Sequence, residues 1–193
     1  VRDRVYSALT REYGNKKEVV QHFYHKDTSV PIWAIFEVLT LGEFGNFYSC
    51  LSYGVRREVS IKLGFHQPSD SDAFLTKKII FAINELRNAV AHNDVIFDTR
   101  FSRSSIDKSL SSSLEIVTGI KSITFKSITD YIILVVYLLK CFGVPKGDMR
   151  RFVAEFQDNI ETLRKQIPTS LFARIVLTDT RPKLKSLQEY IRK

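Results

Sequence analysis

Cysteine is nearly missing from this 193-residue chain: only Cys50 and Cys141 occur, with no CxxC pair and no Cys/His cluster. That excludes a disulfide framework and a zinc site of ordinary spacing, and both thiols are expected to be buried as small apolar residues. His22 and His25 stand three apart on a helical pattern, but no third ligand follows at suitable spacing, so neither a metal nor any other cofactor is expected. His66 reads as a loop residue. No Walker-type or GxGxxG loop occurs, which removes nucleotide-driven chemistry. The longest apolar run, Ile132–Leu139, falls far short of the ~20 residues that span a bilayer and reads as a core helix, with no membrane as partner. The chain opens at Val1 without an initiator methionine or a charged-then-apolar leader, so part of a native start is expected to be missing and the cytoplasm is the expected location.

What is present is an apolar, basic, helix-patterned chain. At 44% hydrophobic residues it is long enough to bury a core, and one all-α domain over 1–193 is expected. Its net charge is +8; residues 1–100 carry 13 basic against 12 acidic side chains, and 101–193 carry 16 against 9. Any surface that tracks phosphate is therefore expected in the second half. Apolar residues recur at three and four: Val5 and Leu9, then Val19, Val20 and Phe23, predict two short N-terminal helices. Pro31 opens a largely buried helix through Ile32–Leu39. Gly42, Gly45 and Gly54 punctuate helices around Phe44–Leu51 and Val55–Leu63. The polar cluster at 67–72 supplies N-cap residues for a long helix over Ala73–His92. From Asn93 to about Ser122 the pattern weakens, and Arg103-Ser104-Ser105 with Ser111-Ser112-Ser113 reads as an exposed, mobile connection beside that helix. Helices over Thr124–Phe142 and Met149–Ile167 and one or two short tail helices complete the chain.

Along Ala73–His92 the stripe Ile79, Ile83, Leu86 and Val90 is expected to face the core. At 100° per residue Phe81, Glu85, Asn88 and His92 share the opposite face, with Asn84 flanking it. Arg87 lies about 140° round the axis from His92. A metal-free RNA cleavage needs a base for the 2′-hydroxyl, charge to stabilise the phosphorane and an acid for the leaving oxygen. Histidine and arginine supply that chemistry, Asn88 would orient the imidazole or hold a phosphate oxygen, and Glu85 would support the imidazolium. The angle argues that one straight helix does not bring Arg87 and His92 onto one phosphate; a bend, or a two-fold dimer of such helices, would. On these residues alone, a solvated arginine and histidine at a helix end remains the competing account.

The segment Leu86-Arg87-Asn88-Ala89-Val90-Ala91-His92-Asn93 resembles the LRNxxAH segment of the Abi (abortive infection) family of phage-defence proteins, and Arg-Asn-x3-His looks like the Rx4-6H signature of the HEPN superfamily. Val30-Pro31-Ile32-Trp33 through Thr40-Leu41-Gly42 is similar to that family's PxW helix, about 50 residues earlier. The resemblance implies a HEPN-like helical bundle with added N- and C-terminal helices and a homodimer formed through the motif helices. It also implies RNA cleavage to a 2′,3′-cyclic phosphate and a 5′-hydroxyl, with Arg87 and His92 catalytic and Asn88 beside them. Glu85, Asn84 and Asn93 are the supporting polar residues. An inhibitory RNA or protein partner is a further expectation. Some HEPN toxins carry a tyrosine two positions after the histidine that a partner nucleotidyltransferase modifies; Asp94 stands here, so that mode of neutralisation is not expected.

Elsewhere, Trp33, Phe36, Phe44, Phe47 and Tyr48 read as core rather than base-stacking residues. Arg56-Arg57, Lys77-Lys78 and Arg150-Arg151 read as solvated pairs able to meet phosphate. The densest basic patch, Arg181-Pro182-Lys183-Leu184-Lys185 with Arg192 and Lys193, is the expected non-specific RNA contact. The rival functions are a non-cleaving RNA-binding dimer and a protein-binding adaptor.

Overall fold

The computed structural model describes residues 2–97, 99, 101, 102 and 106–193. Among the described residues all regular structure is helical: α1 (Arg2–Gly14), α2 (Glu18–His25), α3 (Ile32–Val38), α4 (Leu41–Ser49), α5 (Tyr53–Lys62), α6 (Leu75–Ala91), α7 (Lys108–Thr118), α8 (Ile128–Cys141), α9 (Lys146–Gln166), α10 (Thr169–Ile175) and α11 (Thr180–Arg192). No strand occurs among them, as the patterning predicted.

Helix α8 is apolar on nearly every side and is buried accordingly: Ile128, Tyr131, Ile133, Leu134, Val136 and Tyr137 all lie inside. Around it pack Leu75, Ile79 and Ala82 of α6, Leu110 and Leu114 of α7, Met149 and Val153 of α9, and Leu184, Leu187 and Ile191 of α11. A second, smaller cluster of Leu9, Val20 and Val38 holds α1, α2 and α3 together. Arg11 ties that cluster to α4, because its guanidinium meets both oxygens of Glu43 at 3.1 and 3.3 Å and donates to the Val38 carbonyl. Glu43 also closes a capping box with Thr40, which fixes where α4 starts.

Helices α4 and α6 run in opposite directions at close range, and two glycines permit it. A Cβ on Gly45 would lie 3.1 Å from Ile80 and from the Phe81 ring, and one on Gly42 would touch Asn84 at 3.4 Å. Gly42 and Gly45 therefore lie inside a helix at an interface instead of punctuating the chain.

Three further expectations are corrected. Ser111, Ser112 and Ser113 lie on α7, which packs Leu110, Ser113 and Leu114 inward and ends at Gly119 in the left-handed region; burial of this stripe overrides the weak helix preference of serine. Arg103-Ser104-Ser105 lie outside the described residues. Helix α3 is not largely buried: only Ala34 and Val38 are, while Ile32, Trp33 (53% exposed) and Phe36 (42%) face outward. Phe36 sits edge-on to Phe44 and Phe47, and Trp33 edge-on to Phe23, so these rings form a surface cluster over α2, α3 and α4, with Tyr48 alone among those predicted as core fully inside. Finally, Val90 is 60% exposed while Ala89 in the same turn is buried, so the inward face of α6 at its end lies on the Ala89 side.

No helix among the described residues is long and apolar enough to cross a membrane. Cys50, at the C-cap of α4, is exposed, contrary to expectation; Cys141 is half-buried against the Gly64 carbonyl, and burial pushes its thiol up.

Candidate active site

Helix α6 begins where Asp70 turns back: its carboxylate accepts from the backbone N–H of Phe74 (3.1 Å) and Leu75 (3.1 Å), while Asp72 also accepts from Phe74. These acceptors satisfy the first orphan donors of the helix and suit its positive end. The helix ends as a Schellman motif. Asn93 N–H donates to the Val90 carbonyl and Asp94 N–H to the Ala89 carbonyl (2.9 Å), with Asn93 at φ +56. Asn93, expected as a supporting polar residue, thus has a defined backbone role as the left-handed cap. It leaves His92 at the C-cap and turns the chain back over the end of the helix.

The returning chain and α6 enclose an open cleft of ≈ 690 Å³. Asn84, Glu85, Asn88 and His92 line it from the helix, as the 100° geometry predicted, together with Phe81. Asp94, Val95 and Phe101 line it from the segment after the motif. Ser102 donates to Glu85 Oε2 at 2.8 Å, and the Phe101 ring packs at a tilt of 58° against buried Tyr131 of α8, 5.0 Å between centroids. Burial pushes the Tyr131 hydroxyl up, with Glu85 and Asp130 adding to it. Phe101 and Ser102 were not singled out in the sequence, because their segment has no periodicity to read.

Arg87 does not line the cleft. Exposed on the flank, it donates from Nη1 to Asn88 Oδ1 at 2.9 Å. Because arginine only donates, this bond fixes the orientation of the amide and leaves the Asn88 Nδ2 hydrogens to donate into the cleft. Arg87 is thus absent from the cleft wall that carries His92, as their angular separation predicts.

The basic tail looks different from its sequence. Lys183 is buried (5% exposed): its Nζ donates to Asp130 Oδ1 (2.7 Å), Asp179 Oδ2 (2.8 Å) and the Ser122 carbonyl (2.8 Å). An ammonium whose three hydrogens are all committed inside the protein has none for a phosphate, so Lys183 is a core residue and not an RNA contact. Arg181 is paired with Glu161, and only Lys185 of the three stands exposed without an ion pair among the described residues. Lys78 is engaged by Asp107 and Ser109, whereas its neighbour Lys77 lies over the rings of Phe74 and Phe81. His22 and His25 are exposed and sit edge-on to Phe23 and Tyr13; no group of three His, Cys, Asp or Glu side chains able to hold a metal ion exists among the described residues.

No curated protein and no solved structure matches the chain. A family model does: that of the Abi-like proteins, over residues 2–98, which takes in α1 through α6 and the end of the motif.

Proposed function

Because the chain belongs to the Abi-like protein family, we propose that it is an abortive-infection endoribonuclease of HEPN type, cutting RNA without a metal ion in phage defence or toxin-like growth arrest. The observation that carries this reading is the placement of His92 and Asn88 together on the wall of one open cleft, with Arg87 joined to Asn88. His92 takes the proton of a 2′-hydroxyl, whose oxygen attacks the adjacent phosphorus. Asn88 Nδ2 donates to a non-bridging oxygen as negative charge builds there. The leaving 5′-oxygen is protonated, giving a 2′,3′-cyclic phosphate and a 5′-hydroxyl.

One chain does not present its arginine to its own cleft, so the complete site is a homodimer in which two α6 helices meet about a two-fold axis. Each copy then offers Arg87 beside the other's His92, and the two histidines divide the roles of base and acid. Exposed Val90 within the motif and Val95 just after it give that contact an apolar component. In a toxin-like setting an RNA or protein partner would hold the enzyme inactive.

Digestion of RNA by the purified chain in EDTA tests this. Cleavage should persist, with cyclic-phosphate ends, and His92→Ala and Arg87→Ala should each lose at least about a hundredfold in rate. Mass measured in solution should be that of a dimer. A metal requirement, or full activity in His92→Ala, refutes the assignment. Intact RNA recovered with salt-sensitive binding would assign the non-cleaving role instead.

A further inference from the structure

The polar stripe of α6 does not end at the motif. Reading back from His92 along the same face come Asn88, Glu85, Phe81 and, one turn further, Lys77, whose ammonium lies 5.8 Å from the centre of the Phe81 ring. At 1.5 Å per residue Phe81 stands about 16 Å and Lys77 about 22 Å from His92 along the axis. A strand advancing ~3.4 Å per stacked nucleotide covers the first distance in about five nucleotides. Phe81 and His92 would thus meet different nucleotides of one strand.

We propose that this face of α6 is a track for single-stranded RNA, in which Phe81 stacks an unpaired base and Lys77 takes a phosphate beyond it. The proposal rests on the ribonuclease reading for the scissile end at His92. Three observations favour it. Phe81 lines the cleft although it also packs on α4 over Gly45, so the ring is held firmly from behind. Lys77 makes no ion pair among the described residues, in contrast to Lys78, so its charge is available to an anion. Phe101, backed by Tyr131, supplies a second fixed ring on the cleft wall. Aromatic rings interleaved with a cation and amide donors along a groove are what a sequence-tolerant single strand requires, since every base has a π-face. A duplex, whose bases are already stacked, gains nothing from such rings.

The test uses the full chain carrying His92→Ala, which by the mechanism above binds without cutting, and RNA probes containing 2-aminopurine: an octanucleotide that spans the track and a dinucleotide that does not. Adding Phe81→Leu should weaken the octanucleotide about tenfold, the loss of one stacked base, and leave the dinucleotide unchanged. Lys77→Gln, which keeps a polar side chain of similar reach over Phe74 and Phe81 but removes the charge, should lower the slope of log Kd against log salt by about 0.7. An octanucleotide bound equally well after Phe81→Leu, an equal loss at both lengths, an unchanged salt slope in Lys77→Gln, or no RNA bound at all overturns the track. Cleavage by the unsubstituted chain is scored separately. RNA that binds in this length-dependent way but stays intact rejects the nuclease and keeps the track; cleavage by a chain indifferent to Phe81→Leu rejects the track alone.

Discussion

Replacing Lys183 by methionine keeps the length of the stem and removes the charge. In the native chain Asp130 is fully buried; one oxygen accepts from Lys183 and the other from the backbone N–H of Thr124 and Phe125, both at 2.9 Å. Losing the ammonium leaves a carboxylate inside the core with only neutral donors, the two backbone N–H groups and the Thr124 hydroxyl at 3.4 Å. Breaking a buried pair from one side costs about 3–5 kcal/mol, a large part of the ~5–15 kcal/mol that holds an ordinary domain. At a urea slope of about 2 kcal/mol/M the midpoint of unfolding should fall by roughly 2 M, followed by circular dichroism at pH 7. Burial pulls the Lys183 ammonium down, but its hydrogen bonds to Asp130 and Asp179 outweigh that and hold it above its ordinary value. A group raised on folding gives its full stabilisation below its unfolded value, near 10.4, and loses it only as pH climbs through the folded value. The part of the cost of Lys183→Met that comes from the ammonium should therefore be present at neutral pH and shrink in alkali. A change below about 1 kcal/mol at pH 7 would show that the pair is not buried as described.

Two smaller perturbations separate backbone from charge. At Asn93 the left-handed φ penalises a Cβ, so Asn93→Ala should cost about 1 kcal/mol, some 3 °C in Tm, while Asn93→Gly should cost little; equal losses would show that the Asn93 side chain, and not its backbone angle, carries the stability. Partial burial pushes the Glu43 carboxyl up, but hydrogen bonds from Arg11 and the Thr40 backbone outweigh this and hold it below the usual range. A depressed carboxylate stabilises above its unfolded value and loses that as pH falls through the folded one. Glu43→Gln should thus cost about 1 kcal/mol at pH 7, with the gap to the parent closing below about pH 4 in thermal melts.

Much of the site was legible because a helix converts spacing into direction. Phe81, Glu85, Asn88 and His92 share a face at 100° per residue, and the same arithmetic set Arg87 apart; the cleft contains the first four and omits the fifth. The features that escaped depend on what covers a residue. Lys183 sits in the most basic stretch of the tail, and only the fold of α8 and α11 places Asp130 beside it. Trp33 and Phe36 carry core-type side chains, yet α3 has only seven residues and α1 covers just the side bearing Ala34 and Val38. Phe101 reaches the cleft through Tyr131, a contact across thirty positions that no local period encodes.

The separate cluster under α1, α2 and α3 has an optical consequence. Trp33 is the only tryptophan of the chain and belongs to this small unit, whose core is Leu9, Val20 and Val38, while the large core around α8 contains none. A unit with so few buried contacts opens at lower free energy than the body it is attached to, and its amides exchange with solvent sooner. Tryptophan emission therefore follows the departure of the first three helices from the rest, in a transition that precedes the loss of ellipticity from α8. A melting curve recorded by fluorescence alone would describe this outlying corner and leave the scaffold of the cleft unmeasured.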